Sequence, residues 1–311
     1  MVRKVVEISK DGLFLSLERG FLIVSEGSQR LDAVPLSDIA VLLVTAQGTY
    51  FSKHILLALT SNGAAIILCG KSFKPESIIL PLFGNYEFSG RLDTQIAVSM
   101  PLKKQLWKTI IQEKIKNQSF VLQMFGKDST ALLLENYSNQ VLSGDSSNRE
   151  AIAAKAYWNA LLGDDFIRDP NLPGINSFLN YGYAILRGII ARAVCCVGLH
   201  PSLGIFHCSK VDNYRLVDDL MEPFRPLLDC LVIQLPEAIV GEELTPKLKK
   251  KIYQIAWTDV IVEKGKSPLI KAVEYYAYSL YLSYKEKRNI ICIPALQRNA
   301  NLLDQSSPLP F

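Results

Sequence analysis

The sequence lacks most of the signatures that assign a function at sight. Its six cysteines, Cys69, Cys195, Cys196, Cys208, Cys230 and Cys292, form no C-x-x-C pair, which excludes a zinc ribbon. Most of them sit inside apolar runs such as "ARAVCCVGL" and "NIICIPAL", the habit of buried free thiols in a reducing compartment. There is no G-x-x-x-x-G-K-[ST] and no G-x-S-x-G, so P-loop and α/β-hydrolase chemistry are excluded. No uncharged apolar run reaches the ~18 residues of a membrane span. The opening "MVRKVVEIS" has no apolar secretory core, and the expected localisation is cytoplasmic, with no membrane partner. Internal repeats and low-complexity tracts are also missing. Histidine is scarce, with only His54, His200 and His207. Neither charge sign dominates: 34 Lys and Arg against 30 Asp and Glu give +4 and a pI near 8.6, compatible with a polyanionic partner without requiring one.

What is present is an ordinary globular composition, 49% hydrophobic and 21% charged. At ~150 residues per domain the length suggests about two domains. The first part reads as short β-branched and aromatic runs: "KVVEIS", "LFLSLERGFLIVSE", "QRLDAV", "IAVLLVT" and "AAIILCG". Gly27-Ser28 predicts a hairpin. "SKHILLALTSNG" interrupts the strands with helical spacing, an N-cap Ser52 and a terminal Asn62-Gly63. From about Leu92 to Leu296 helix follows helix, among them "PLKKQLWKTIIQEKIKNQSFVLQMFG", "STALLLENYSNQVLSG", "NREAIAAKAYWNALLG", "NSFLNYGYAILRGIIARAVCCVGL", "LTPKLKKKIYQIAWTDVIV" and "PLIKAVEYYAYSLYLSYKEKR". The expected class is α+β: a small, mostly-β domain over 1–83, a linker over 84–92, a larger all-α domain over 93–296, and a loose tail over 297–311.

Chemistry concentrates in "GIFHCSKVDNYRLVDDLMEPFRP", residues 204–226. Asp219 and Glu222 are three apart and Asp218 and Glu222 four apart, so on a helix they share a face. Like charges so placed repel unless a cation lies between them, and hard carboxylates with the one imidazole of His207 suit Mg²⁺ or Mn²⁺. Pro223 disfavours helical dihedrals at Glu222, so the helix either kinks there or a new one starts. A hydrogen-bonded core histidine with a surface carboxylate run is the plainer alternative. Glu150 is a second candidate, with an alternative of its own: Ser147-Asn148-Arg149-Glu150 matches the S-x-x-E capping box, in which the glutamate would bond its own backbone.

Basic residues recur around these segments: Lys103, Lys104, Arg149, Lys155, Arg187, Arg192, Lys210, Arg215 and Arg225. Arg187 and Arg192 lie in a helix too apolar to be exposed, and each wants a carboxylate or a phosphate. "KLKKK" (247–251) reads as a solvated face. The tyrosines at 275, 276, 278, 281 and 284 read as core.

Four stretches, "NREAIAAKAYWNALLG", "NSFLNYGYAILRGIIARAV", "GLHPSLGIFHCSK" and "LVDDLMEPFRP", together resemble the CRISPR adaptation integrases, most closely those of type II systems. They occur in that family's order, and the resemblance spans about residues 1–296. It implies that the helical domain is catalytic and that Glu150, His207 and Glu222 are metal ligands, with Asp219 as a supporting carboxylate. The implied cofactor is Mg²⁺ or Mn²⁺. The implied reaction is attack by a spacer 3′-OH on a phosphodiester of the CRISPR repeat. Lys103, Lys104, Arg149, Lys155, Arg187, Arg192, Lys210 and Arg225 are the candidates for contact with DNA. The implied partners are double-stranded DNA with 3′ overhangs, repeat DNA, a second copy of the chain joined through the β domain, and a small ferredoxin-like adaptation protein completing a heterohexamer. Alternatives are a stand-alone metal-dependent nuclease on branched or single-stranded DNA and a DNA-binding scaffold without catalysis.

Overall fold

The computed structural model of the protein describes residues 4–70, 75–81 and 85–297. The N-terminal strands form two sheets. One has the order β1 (Lys4–Ile8), β5 (Ile39–Val44), β7 (Ala65–Cys69), β8 (Pro75–Ile79), parallel except for the last pair. The other has the order β4 (Gln29–Pro35), β3 (Phe21–Glu26), β2 (Leu13–Glu18), β6 (Tyr50–Phe51). The hairpin expected at Gly27-Ser28 joins β3 and β4. The run 13–26 is not one strand. It folds back at Arg19-Gly20, whose φ values of 47° and 82° suit a tight hairpin turn that the uninterrupted alternation concealed. α1 (Lys53–Ser61) starts as expected, with Ser52 Oγ accepting from Ile55 N at 3.3 Å.

β5 is buried along its whole length, as befits a central parallel strand. Ile39, Leu42 and Val44 join a core with Leu15, Leu22 and Leu59, between the two sheets and α1. Ala40, Val41 and Leu43 join the main core, which the helices supply.

The helices are α2 (Phe88–Ile96), α3 (Met100–Met124), α4 (Asp128–Asn139), α5 (Arg149–Leu162), α6 (Ile175–Val197), α7 (Arg215–Met221), α8 (Arg225–Ile233), α9 (Pro236–Ile239), α10 (Pro246–Ile252) and α11 (Leu269–Lys285). The stretch read as linker is already helical from Phe88, and residues 82–84 lie outside the described part. The helical pattern is also interrupted by a small sheet of β9 (Asp259–Val262), β10 (Gly265–Pro268) and β11 (Ala295–Leu296). "TDVIV" continues the apolar pattern of α10, but its β-branched residues pair as a strand with β10 across a turn before Gly265. Of the expected tail, residues 298–311 lie outside the described part. No helix among the described residues is long and apolar enough to cross a membrane.

α6 runs through the middle of the main core and lies on β5 and β7. Gly188 permits this approach, since a Cβ there would stand 2.1 Å from Ile67 Cδ1 and 3.3 Å from Val41 Cγ1. "KLKKK" is not uniformly solvated. Lys249 is buried and pairs with Glu7 of β1 at 3.0 Å, a charged tie between α10 and the N-terminal sheet. The tyrosines of α11 divide: Tyr276 and Tyr284 are core, whereas Tyr275 and Tyr278 are exposed.

Leucine is a better helix former than glycine, so a Gly188→Leu variant isolates the packing effect. Overpacking of this kind costs about 1–3 kcal/mol. The melting temperature should therefore fall by several degrees, and an unchanged value would contradict the close approach of α6 to the sheet.

Candidate active site

The site is assembled on α3. Its buried stripe contains Trp107, Ile110, Ile111, Lys114, Ile115 and Asn117, so a lysine lies where the helical period calls for an apolar residue. Lys114 Nζ is 2.6 Å from Glu150 Oε1 and 2.5 Å from Glu222 Oε2. The second contact is a close ion pair whose angle falls outside hydrogen-bond geometry. One ammonium thus keeps the two carboxylate oxygens within about 5 Å of each other. Burial opposes the charge of Lys114, but Glu222 and Glu150 more than offset it and its pKa is raised.

Glu150 is held in the first turn of α5, and the capping box does not form. Asn148 takes left-handed dihedrals, φ 53°, and Ser147 Oγ has no hydrogen-bond partner. Asp145 caps instead, accepting from Arg149 N at 2.9 Å and from Glu150 N at 3.0 Å. The Glu150 carboxylate is therefore free to face Lys114.

Glu222 lies where α7 meets α8. Pro223 does not break the path: Glu222 keeps helical dihedrals, and Glu222–Phe224 tightens into one 3₁₀ turn. Asn117 Nδ2 donates to Pro223 O at 2.8 Å, so α3 grips this turn twice. Arg225 Nε donates to Glu222 Oε1 at 2.8 Å. Burial alone would raise the Glu222 carboxyl, but Arg225 and Lys114 outweigh it and hold it below the usual carboxylate range. Asp218, Asp219 and Glu222 do not share one cation as their spacing suggested. Asp218 receives Arg187, Asp219 receives the backbone of the His207 loop, and Glu222 receives Lys114 and Arg225.

His207 sits in the segment between α6 and α7, half-exposed. Asp219, fully buried, accepts from Ile205 N at 2.5 Å and from Phe206 N and His207 N at 3.1 Å each, and its Oδ1 is 2.6 Å from His207 Nδ1. An acceptor at Nδ1 places the proton there and leaves the Nε2 lone pair available. This hydrogen bond is the largest influence on His207, whose pKa is raised despite burial. Gly204 is required by the same turn, because a Cβ would come within 2.9 Å of Asp219 Oδ2 and 2.8 Å of His207 O. Trp107 supports the loop from below, stacked on Phe206 at 4.4 Å and edge-on to His207.

Two carboxylates and an imidazole oriented by a third carboxylate form a donor set that suits Mg²⁺ or Mn²⁺. Among the described residues no three His, Cys, Asp or Glu side chains gather closely enough to hold an ion without rearrangement. Lys114 takes up the interval between two of them.

Next to Glu222 an open cleft of about 200 Å³ is lined by Arg168, Tyr183, Arg187, Asp218 and Arg225, among others. Arg168 and Arg225 both lie over the Tyr183 ring, at 5.3 and 4.9 Å. Lys104, Lys155 and Lys210 are exposed. Lys103 donates to Gly204 O in the His207 turn at 3.2 Å, and Arg149 lies over Tyr137 at 5.3 Å. Arg192 is buried and pairs with Glu274 of α11 at 2.5 Å, the carboxylate its apolar helix called for. Lys114, Arg168, Asn117 and Asp145 were missed in the sequence. Lys114 and Asn117 carried a signal, polar residues on the apolar stripe of α3.

Below the cleft, Tyr183 donates its hydroxyl to the buried Asp229. Burial pushes the Asp229 carboxyl up to about 7, against the pull of Tyr183 and the fields of Arg225 and Arg168. The unfolded chain releases this proton near pH 4. Between about pH 4 and 7 the native state therefore binds more protons than the unfolded state, and this contribution to stability falls as pH rises, then levels off. Asp229→Asn should flatten the decline in melting temperature across that window, and equal slopes in both proteins would contradict the assignment.

The model of the family described as "CRISPR associated protein Cas1" matches residues 6–243. The chain is 36% identical over 279 residues to the CRISPR-associated endonuclease Cas1 of Neisseria meningitidis serogroup C, covering 89% of this chain and 91% of that protein. Its fold is similar to that of a casposase bound to integration product, with a TM-score of 0.77, 18% identity, and coverage of 93% and 92% of the two chains. It is also similar to a chain of a Cas6-RT-Cas1–Cas2 complex, with a TM-score of 0.74, 15% identity, and coverage of 92% of this chain and 35% of that one. With its fold, its His–carboxylate turn and a family match across most of its length, the chain belongs to the Cas1 family of CRISPR-associated proteins.

Proposed function

We propose that the protein is a metal-dependent DNA integrase that inserts spacer DNA into a CRISPR array. The observation that carries this reading is the convergence of Glu150 and Glu222, from distant parts of the chain, on one point, together with a His207 ring fixed by Asp219. Glu150, His207 and Glu222 would hold Mg²⁺ or Mn²⁺. When bound, the ion would supply charge neutralisation at the scissile phosphate and at the leaving oxygen.

The chain's own residues do the rest. Asp219 keeps the His207 tautomer and ring orientation, so that little reorganisation is needed when the site engages its ligand. Arg225 holds Glu222 ionised. Arg168, Arg187 and Arg225 present guanidiniums to a DNA phosphate in the cleft beside Glu222. Lys104, Lys155 and Lys210 meet the backbone as exposed charges, and Lys103 and Arg149 flank the site. In strand transfer the spacer 3′-oxygen forms a bond to a repeat phosphorus as the repeat's own P–O bond breaks. One phosphodiester replaces another, and no nucleotide triphosphate is consumed.

The reading includes a cytoplasmic setting, a homodimer joined through the N-terminal strands, DNA with 3′ overhangs as donor, and repeat DNA as acceptor. It also includes two such dimers assembled on a small ferredoxin-like Cas2 dimer. The Cas6-RT-Cas1–Cas2 complex whose chain this fold resembles supports Cas2 as a partner.

The test is strand transfer in vitro. Purified protein and the Cas2 of its own locus receive a duplex with 3′ overhangs, a plasmid carrying the repeat, and Mn²⁺. Joined product is expected with wild type, with a loss of at least about 100-fold in His207→Ala and Glu150→Gln and none without metal. Joining by all three proteins would refute the site. Cleavage of branched DNA without joining would replace the integrase with a nuclease, and DNA binding with neither activity would leave a scaffold.

A further inference from the structure

We infer that Lys114 is a built-in counter-cation that competes with the divalent ion for the Glu150–Glu222 pair and sets the affinity of the site for metal. This rests on the metal-site reading above, and three observations carry it.

First, the position is shared. Lys114 Nζ lies 2.6 Å and 2.5 Å from one oxygen of each carboxylate, the interval an ion held by both would occupy. Second, Glu222 has both oxygens engaged, Oε1 by Arg225 and Oε2 by Lys114, so an ion must share or displace one of these cations. Third, the group is already neutral. Glu150 and Glu222 balance Lys114 and Arg225, so an added divalent ion would leave an excess charge of two on a group whose Lys114 and Glu222 are buried, and withdrawal of one cation would halve it.

The two cations are not equally able to move. Arg225 lies over the Tyr183 ring at 4.9 Å and donates to Glu222 Oε1 through its Nε, so its guanidinium is held by both a ring face and a carboxylate. Lys114 has a flexible stem, a point charge and no contact beyond the two carboxylates among the hydrogen bonds and ion pairs of its ammonium. Lys114 is therefore the group that gives way. A purely structural role, as a buried cation tying α3 to α5 and to the α7–α8 joint, would make the opposite prediction for metal binding.

The experiment is Mn²⁺ binding to the full chain without DNA, with free Mn²⁺ read by electron paramagnetic resonance. The proteins are wild type, Lys114→Met, Lys114→Gln and Glu222→Gln. Melting temperatures are measured in EDTA and in saturating Mn²⁺. Removing the competitor should tighten Mn²⁺ binding about tenfold or more in both Lys114 variants. Both should melt lower than wild type in EDTA and gain more than wild type from Mn²⁺. Lys114→Gln keeps a hydrogen-bond donor without charge, and it decides the matter should Lys114→Met not fold. Unchanged or weakened Mn²⁺ binding in the folded Lys114 variants overturns the inference. Wild-type binding indistinguishable from Glu222→Gln overturns instead the metal-site reading beneath it.

Discussion

A single buried ammonium organises the site. Lys114 stands at the middle of α3 and is met by Glu150 from the first turn of α5 and by Glu222 from the α7–α8 joint. Without a cation there, two carboxylates would face each other in a low-dielectric interior, which costs far more than a surface repulsion. The pairing therefore decides how three helices can pack and where their carboxylates point. The 3₁₀ turn at Glu222–Phe224 fits the same constraint: it carries the chain past Pro223 while Asn117 and Lys114 hold it to α3.

The second fixed point is Asp219. Its two oxygens accept three backbone N–H groups and face the His207 imidazole, so one side chain shapes the loop and orients the ring together. With both oxygens so engaged, this carboxylate is committed to the shape of the loop and the orientation of the ring. The stacked Trp107 and Phe206 and the Cβ-free Gly204 allow the loop to close this tightly. The arginine-lined cleft includes Arg225, which also holds Glu222.

Much of this was legible in the sequence because it follows local rules. Alternation gave most of the N-terminal strands, and 3.6-residue spacing gave the long helices. The features that escaped depend on contacts across the chain. Asp145 outcompetes Ser147 as the cap of α5 because Asn148 turns left-handed, which no S-x-x-E pattern reveals. β9 continues the apolar run of α10 and becomes a strand only because β10 and β11 supply its hydrogen bonds. The carboxylates at 218, 219 and 222 looked like a shared ion site by spacing. In three dimensions each finds separate donors, and the carboxylate that shares a cation with Glu222 is Glu150, from a helix that precedes it by two. The four quoted stretches pointed to the family because they carry the turn of His207 and the joint of Glu222, whose shapes their residues dictate.

The central claim is that Glu150, His207 and Glu222 form one metal centre. Anomalous scattering from crystals soaked in Mn²⁺ tests it most directly. The account predicts one peak within bonding distance of both glutamate carboxylates and His207 Nε2, with the Lys114 ammonium drawn back from Glu150 and Glu222. A peak ligated elsewhere, or none at saturating Mn²⁺ with Lys114 still bridging the two carboxylates, would contradict it.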